Sequence, residues 1–185
     1  MGLSYASVTH PGNVRKVNED SILQSSQNLW AVADGMGGYA AGDVASRLVI
    51  DSLTKVDDIE QGSTDLIEYI EEALQQVNQK LAFEMTVGIG SEIMGSTVVV
   101  AACQDQQCTC LWVGDSRLYV QRKGELYQIS KDHSVVQDMI DDGDMKFLSD
   151  LHDLRPSLTE TELIYIGDQT WKGGRLVEFA FSLNN

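Results

Sequence analysis

The 185 residues (20.4 kDa) can bury one core without disulfide or metal staples. With 43% apolar and 22% charged residues, the composition is that of a globular domain and excludes a disordered chain. Thirteen basic against 28 acidic side chains give a net charge of −15, which disfavours nucleic acid and anionic membranes and favours cations. No apolar run nears the roughly 20 residues of a membrane helix. The first residues, Met1 to Tyr5, show no secretory pattern, and Ala6 stands where a myristoylation signal needs Ser or Thr. These absences point to the cytoplasm. Cys103, Cys108 and Cys110 are an odd set read as reduced thiols, and a zinc site would lack a nearby fourth ligand.

In chain order, residues 29–33 (Leu-Trp-Ala-Val-Ala) form an apolar run that stops at a Gly-rich stretch, which predicts a buried strand followed by a loop. Val44, Ala45, Leu48, Val49 and Leu53 then recur at helical spacing. A second helix is predicted from Thr64 as N-cap, with Leu66, Ile67, Ile70, Leu74, Val77 and Leu81 as its apolar stripe. From Ser96 the pattern turns to β. Strands are expected over 97–102, 109–113, 118–121 and 126–129, the last two flanking the hairpin signal Lys123-Gly124. Strands joined by such short turns are antiparallel, so the fold class is α+β and not a doubly wound parallel sheet.

The densest chemistry lies in Arg15-Lys16-Val17-Asn18-Glu19-Asp20 and in Asp34-Gly35-Met36-Gly37-Gly38. Asp34 ends an apolar strand, and glycines behind it let a backbone carbonyl approach an ion. Mg²⁺ and Mn²⁺ take such carboxylate and carbonyl oxygens, with Glu19 and Asp20 as further donors. A carboxylate before glycines is also an ordinary turn. Gly35-x-Gly37-x-x-Ala40 imitates a dinucleotide fingerprint, but Asp34 would repel a pyrophosphate and the later strands are hairpins. Gly114-Asp115-Ser116-Arg117 joins two apolar strands and reads either as a turn or as a second acidic site. Lys131-Asp132-His133-Ser134 follows; without a Gly-x-Ser-x-Gly elbow, His133 reads as a hydrogen-bonding structural residue.

In sequence order, Gly12-x-x-Arg15-x-x-Asn18-Glu19-Asp20, Ala33-Asp34-Gly35-Met36-Gly37-Gly38 with Gly42, Gly95-Ser96-Thr97, Gly114-Asp115-Ser116-Arg117 and Asp132-His133-Ser134 resemble the bacterial metal-dependent protein serine/threonine phosphatases of type 2C. The resemblance runs over residues 1–145 of a single phosphatase-like domain, 1–185. It implies an antiparallel β-sandwich flanked by helices. It also implies hydrolysis of phosphoserine and phosphothreonine in proteins by a water shared between two Mn²⁺ or Mg²⁺ ions. Carried over by motif, Asp34 bridges both ions and Gly35 offers its carbonyl. Glu19 and Asp20 hold water, Asp115 faces a third metal position, and Arg15 grips the phosphate with its planar fork. Phosphorylated proteins are the implied partners, with a Ser/Thr kinase or that kinase's substrates among them.

The tail departs from the family. Residues 143–159 resemble its flap, but Ser-Asp-Gly and Asp-Asn motifs, whose aspartates complete one metal position, do not follow. Of the remaining acids Glu160, Glu162, Asp168 and Glu178, none sits in either motif. Ser149-Asp150-Leu151 is an alternative, although it lacks the glycine and requires deletion of the flap. The expectation is therefore a domain lacking its last strands, with residues 175–181 as one strand able to cover an open edge. The alternative function is a catalytically impaired relative that binds phosphoproteins or partners.

Overall fold

A computed structural model describes residues 2–24, 28–37, 41–58, 66–87, 94–104, 107–133, 163–169 and 176–184. Strands β1 (Gly2–Val8), β2 (Asp20–Gln24) and β3 (Leu29–Gly37) precede helices α1 (Ala41–Asp57) and α2 (Leu66–Val87). Strands β4 (Met94–Ser96), β5 (Val98–Gln104), β6 (Gln107–Val113), β7 (Arg117–Arg122) and β8 (Glu125–Gln128) follow, then β9 (Leu163–Gln169) and β10 (Leu176–Asn184). One sheet runs β1-β10-β9-β7-β8. The other runs β2-β3-β5-β6, with β4 also on β3, and every pairing is antiparallel. The α+β antiparallel sandwich is the architecture expected from the sequence.

Strand β3 explains the layering. Side chains alternate along a strand, so Leu29, Ala31 and Ala33 pack with Ala45, Val49 and Leu53 of α1 and Ile70, Val77 and Leu81 of α2. Trp30 and Val32 turn the other way and join Val99, Ala101, Leu118 and Val120, where the two sheets meet. A strand covered on both faces reads as a continuous apolar run. Leu53 is fully buried in the helix-side core. Leu53→Ala is expected to lower the unfolding free energy by about 2–5 kcal/mol, measured by urea titration.

Several boundaries differ from the sequence reading. Strand β3 continues through Gly37 instead of yielding to a loop at Asp34, because Gly35, Met36 and Gly37 pair with Ser96, Gly95 and Met94 of β4. The buried face of α1 is rotated from the expected stripe. Gly42, Ser46, Ile50 and Val56 join it, whereas Val44 is 46% exposed. The α2 stripe packs as expected, and Thr64 lies outside the described residues. At Lys123-Gly124 both φ angles are positive (53° and 84°), as a tight two-residue hairpin requires. In the tail, the strand expected over 175–181 is found as β10, Leu176–Asn184, which pairs along its length with β1 and covers its edge. Strand β9, between β10 and β7, was not anticipated. Residues 143–159 and the Ser149-Asp150-Leu151 alternative lie outside the described residues.

Candidate active site

The inter-sheet face of β3 carries Trp30, then Val32, then Asp34. The same parity on β2 gives Ile22 then Asp20, and on the β5 side it gives Val99 then Thr97. At one end, therefore, the apolar filling between the sheets changes to polar side chains. Asp20 is the direct cross-strand partner of Asp34. The Gly35 N–H donates to the Glu19 carbonyl at 3.0 Å, which makes Glu19/Gly35 a hydrogen-bonded pair. Asp20/Asp34 is then the closer, non-hydrogen-bonded kind, with side chains on one face. Two carboxylates directly opposite destabilise a sheet unless a cation offsets their repulsion.

On its other side Asp34 is held by Thr97. The registers of β4 and β5 against β3 are continuous, and Thr97 is the residue between them. The Thr97 N–H donates to the Asp34 carbonyl at 2.9 Å, and the Asp34 N–H returns a bond to the Thr97 Oγ1 at 3.1 Å, a side chain taking the place of a ladder carbonyl. The Ser96 hydroxyl also donates to the Asp34 carbonyl at 3.1 Å. The Thr97 hydroxyl further shares a 2.7 Å hydrogen bond with the buried Ser116 hydroxyl. Thr97 thus ties Asp34 to the turn that carries the exposed Asp115. Gly114 opens this turn at φ +103°, and a Cβ there would lie 2.6 Å from Thr97 Cγ2. Thr97→Val keeps the shape and removes the acceptor. It is expected to cost about 1–3 kcal/mol in a urea titration, with most of the loss recovered in Thr97→Ser.

Arg117, past the turn, makes a two-pronged ion pair with Asp132 at 2.8 and 2.6 Å. That pair raises the arginine's pKa against the opposing effect of burial. His133 closes the turn from outside: its N–H donates to the Gly114 carbonyl at 2.9 Å and its Nδ1 accepts from the Gly114 N–H at 3.3 Å. These are the hydrogen-bonding roles read from the sequence for His133.

Gly35 faces the helix side of β3, where the start of α1 presses on it. A Cβ on Gly35 would lie 1.8 Å from the Gly42 carbonyl oxygen and 2.9 Å from that of Glu19. A Cβ on Gly42 would lie 2.7 Å from the Gly35 carbonyl oxygen and 3.0 Å from Glu19 Oε1. Gly42 is therefore needed so that Gly35, Glu19 and α1 can meet. Glu19 is mostly buried and forms an ion pair with Arg15, whose side chain is 58% exposed.

Asp20 and Asp34 thus share the inter-sheet face, Glu19 and Gly35 lie one residue on, towards α1, and Asp115 is reached through Thr97 and Ser116. The donors are hard oxygens, suited to Mg²⁺ or Mn²⁺ and not to a soft metal. Among the described residues no three His, Cys, Asp or Glu side chains form a ready ligand shell. The arrangement fits a hydrated cation, which needs only one or two protein carboxylates and keeps several waters.

A family model described as protein phosphatase 2C matches residues 13–150. The chain belongs to the protein phosphatase 2C family. Over 141 residues it is 41% identical to the serine/threonine protein phosphatase PstP of Mycobacterium tuberculosis, an alignment covering 76% of this chain and 27% of PstP. It is 35% identical over 147 residues to the serine/threonine phosphatase stp of Listeria monocytogenes, covering 74% of this chain and 57% of that one. The chain thus spans between a quarter and somewhat over half of these relatives' lengths. In three dimensions it resembles the PstP catalytic domain crystallised with two manganese ions, at a TM-score of 0.80 and 27% identity over 99% of both chains.

One residue that the sequence reading sets aside gains a place from the topology. Gly167 of β9 pairs with Arg117 of β7, so Asp168 comes level with Ser116 beside the Asp115 turn. Its signal in the sequence was faint: one acid after an apolar run, preceded by a single glycine.

Proposed function

We propose that this protein is a phosphomonoester hydrolase that removes phosphate from phosphoserine and phosphothreonine in proteins. The observation that carries the reading is the Asp20/Asp34 pair, two carboxylates in direct register where the inter-sheet filling turns polar. Two Mn²⁺ or Mg²⁺ ions are the cofactors it calls for, and Asp34 and the Gly35 carbonyl would hold them. Glu19 and Asp20 would order the surrounding water, and Asp115 would face a third position. Bound there, the ions supply an acidified water for attack on phosphorus and positive charge for the phosphoryl oxygens.

The chain's own residues do the rest. Asp34 sets the position of the centre because both sides of its peptide group are fixed by Thr97. Arg15, exposed and paired with Glu19, presents a planar fork to two phosphoryl oxygens, and Glu19 holds that fork before substrate arrives. We assign to Asp168, level with Ser116 in the β7–β9 register, the part of the family's late motifs. The names of the relatives support catalysis over a purely binding role. Among the described residues no helix is long and apolar enough to cross a membrane. We place the protein in the cytoplasm, acting on proteins that a Ser/Thr kinase has phosphorylated.

The test is phosphate release from phosphothreonine and phosphoserine peptides, with Mn²⁺ or Mg²⁺ and with EDTA. Metal-dependent release from both is expected. Peptide binding without release at saturating Mn²⁺ would instead establish the binding-module reading.

A further inference from the structure

The pole of the sandwich opposite the acids carries a second constellation, of sulfur. Cys103 near the end of β5 is the direct cross-strand partner of Cys108 near the start of β6. The Cys103 N–H donates to the Asn28 carbonyl at 2.9 Å, so it points away from β6. Cys103/Cys108 is therefore a non-hydrogen-bonded pair. Such pairs have Cα atoms about 4.5 Å apart, inside the span of a disulfide. Cys110 lies two residues along the same strand, opposite Ala101, and has no cysteine across from it. Along a strand, i and i+2 stand roughly 6.6 Å apart and diverge from a common bridge. All three thiols are free and lie at the inter-sheet core, Cys103 buried and Cys108 partly exposed. Among the described residues strand β6 is the last in its sheet's order, and the partial exposure of Cys108 is where a reagent would reach the pair.

We propose that Cys103 and Cys108 are a modification site that forms a reversible disulfide by exchange with a low-molecular-weight disulfide. The Cys108 thiolate attacks one sulfur of the reagent, forming a mixed disulfide and releasing one reagent thiol. Cys103 then gives up its proton and attacks Cys108 Sγ, expelling the second reagent thiol. Two protein thiols are oxidised and one reagent disulfide is reduced to two thiols, which carry the two protons. The hydrogen bond between the two thiols and then burial hold the Cys108 pKa well above its usual value, so the exchange is slow at neutral pH and quickens as pH rises. Burial alone pushes the Cys110 thiol up to about 12 as well, so what sets Cys110 apart is that Ala101, not a cysteine, lies across from it. The bond would pin the edge strand β6 to β5 at the pole away from Asp34.

The experiment incubates the folded full chain with excess oxidised glutathione at pH 8.5, alkylates the remaining thiols and cleaves before Asp105, between the partners in sequence. The expected result is loss of two thiols, a 103–108 link, alkylation of Cys110 alone, a raised Tm and full reversal by dithiothreitol. Cys110→Ser should leave this unchanged, and Cys108→Ser should abolish both link and Tm shift. A link through Cys110, a persistent glutathione adduct or three thiols still alkylated would overturn the proposal. Because no readout is catalytic, its failure is distinct from failure of the phosphatase reading.

Discussion

Asp34→Asn is expected to lower Mn²⁺-dependent phosphate release by about 10³-fold, the scale of the several kcal/mol of charge stabilisation that a metal centre supplies. The substitution keeps shape and hydrogen-bonding groups, so Thr97 can still hold the backbone. It also removes one of two carboxylates directly opposed across β2 and β3. Without metal, the variant should therefore be more stable than the parent by about 0.2–1 kcal/mol, the size of a cross-strand pair effect. Loss of turnover with gain of metal-free stability separates a functional carboxylate from a structural one. Urea titration in EDTA beside the activity assay reads both. A destabilised variant would indicate that Asp34 serves the fold.

Gly35→Ala is expected to have the largest effect on stability. Its Cβ would sit 1.8 Å from the Gly42 carbonyl oxygen, a backbone atom that cannot rotate aside. The start of α1 must lift from β3, opening the contact between the helix and the acidic end of β2 and β3. We expect a loss of about 4–5 kcal/mol or more, at the upper end for a single substitution. Gly42→Ala meets the Gly35 carbonyl at 2.7 Å and should cost less. It should still weaken Mn²⁺ affinity, since it displaces a carbonyl assigned to the metal and crowds Glu19. Urea unfolding of both variants, with Mn²⁺ dependence of the soluble one, checks the order.

Much of this was legible in the residues. The apolar run 29–33 announced a strand buried on both faces, and its abrupt end at Asp34 marked where the inter-sheet filling turns polar. Lys123-Gly124 fixed a hairpin because only a few residue pairs accept two positive φ angles. The pairing that carries β3 on to Gly37 was not legible, since three glycines in five residues look like a loop until β4 is beside them. Thr97 read as a β-branched strand residue and as the end of the Gly95-Ser96-Thr97 motif, and neither reading gave its hydroxyl a role. Its hydroxyl stands in for a ladder carbonyl only because β4 and β5 break there. Strand β9 was hidden for a similar reason: its place in the sheet depends on β7, far away in sequence. Asp168 therefore looked like a stray acid in an irregular tail. Local pattern marks residues that bury themselves; it does not mark those that matter through a neighbour brought by topology.

Calorimetric titration of Mn²⁺ into the parent chain and into Asp34→Asn tests the metal centre most directly. Two ions bound per parent chain, with binding weakened or lost in Asp34→Asn, is the expected result. No binding to the parent, or the same binding in both proteins, would contradict a centre built on Asp34.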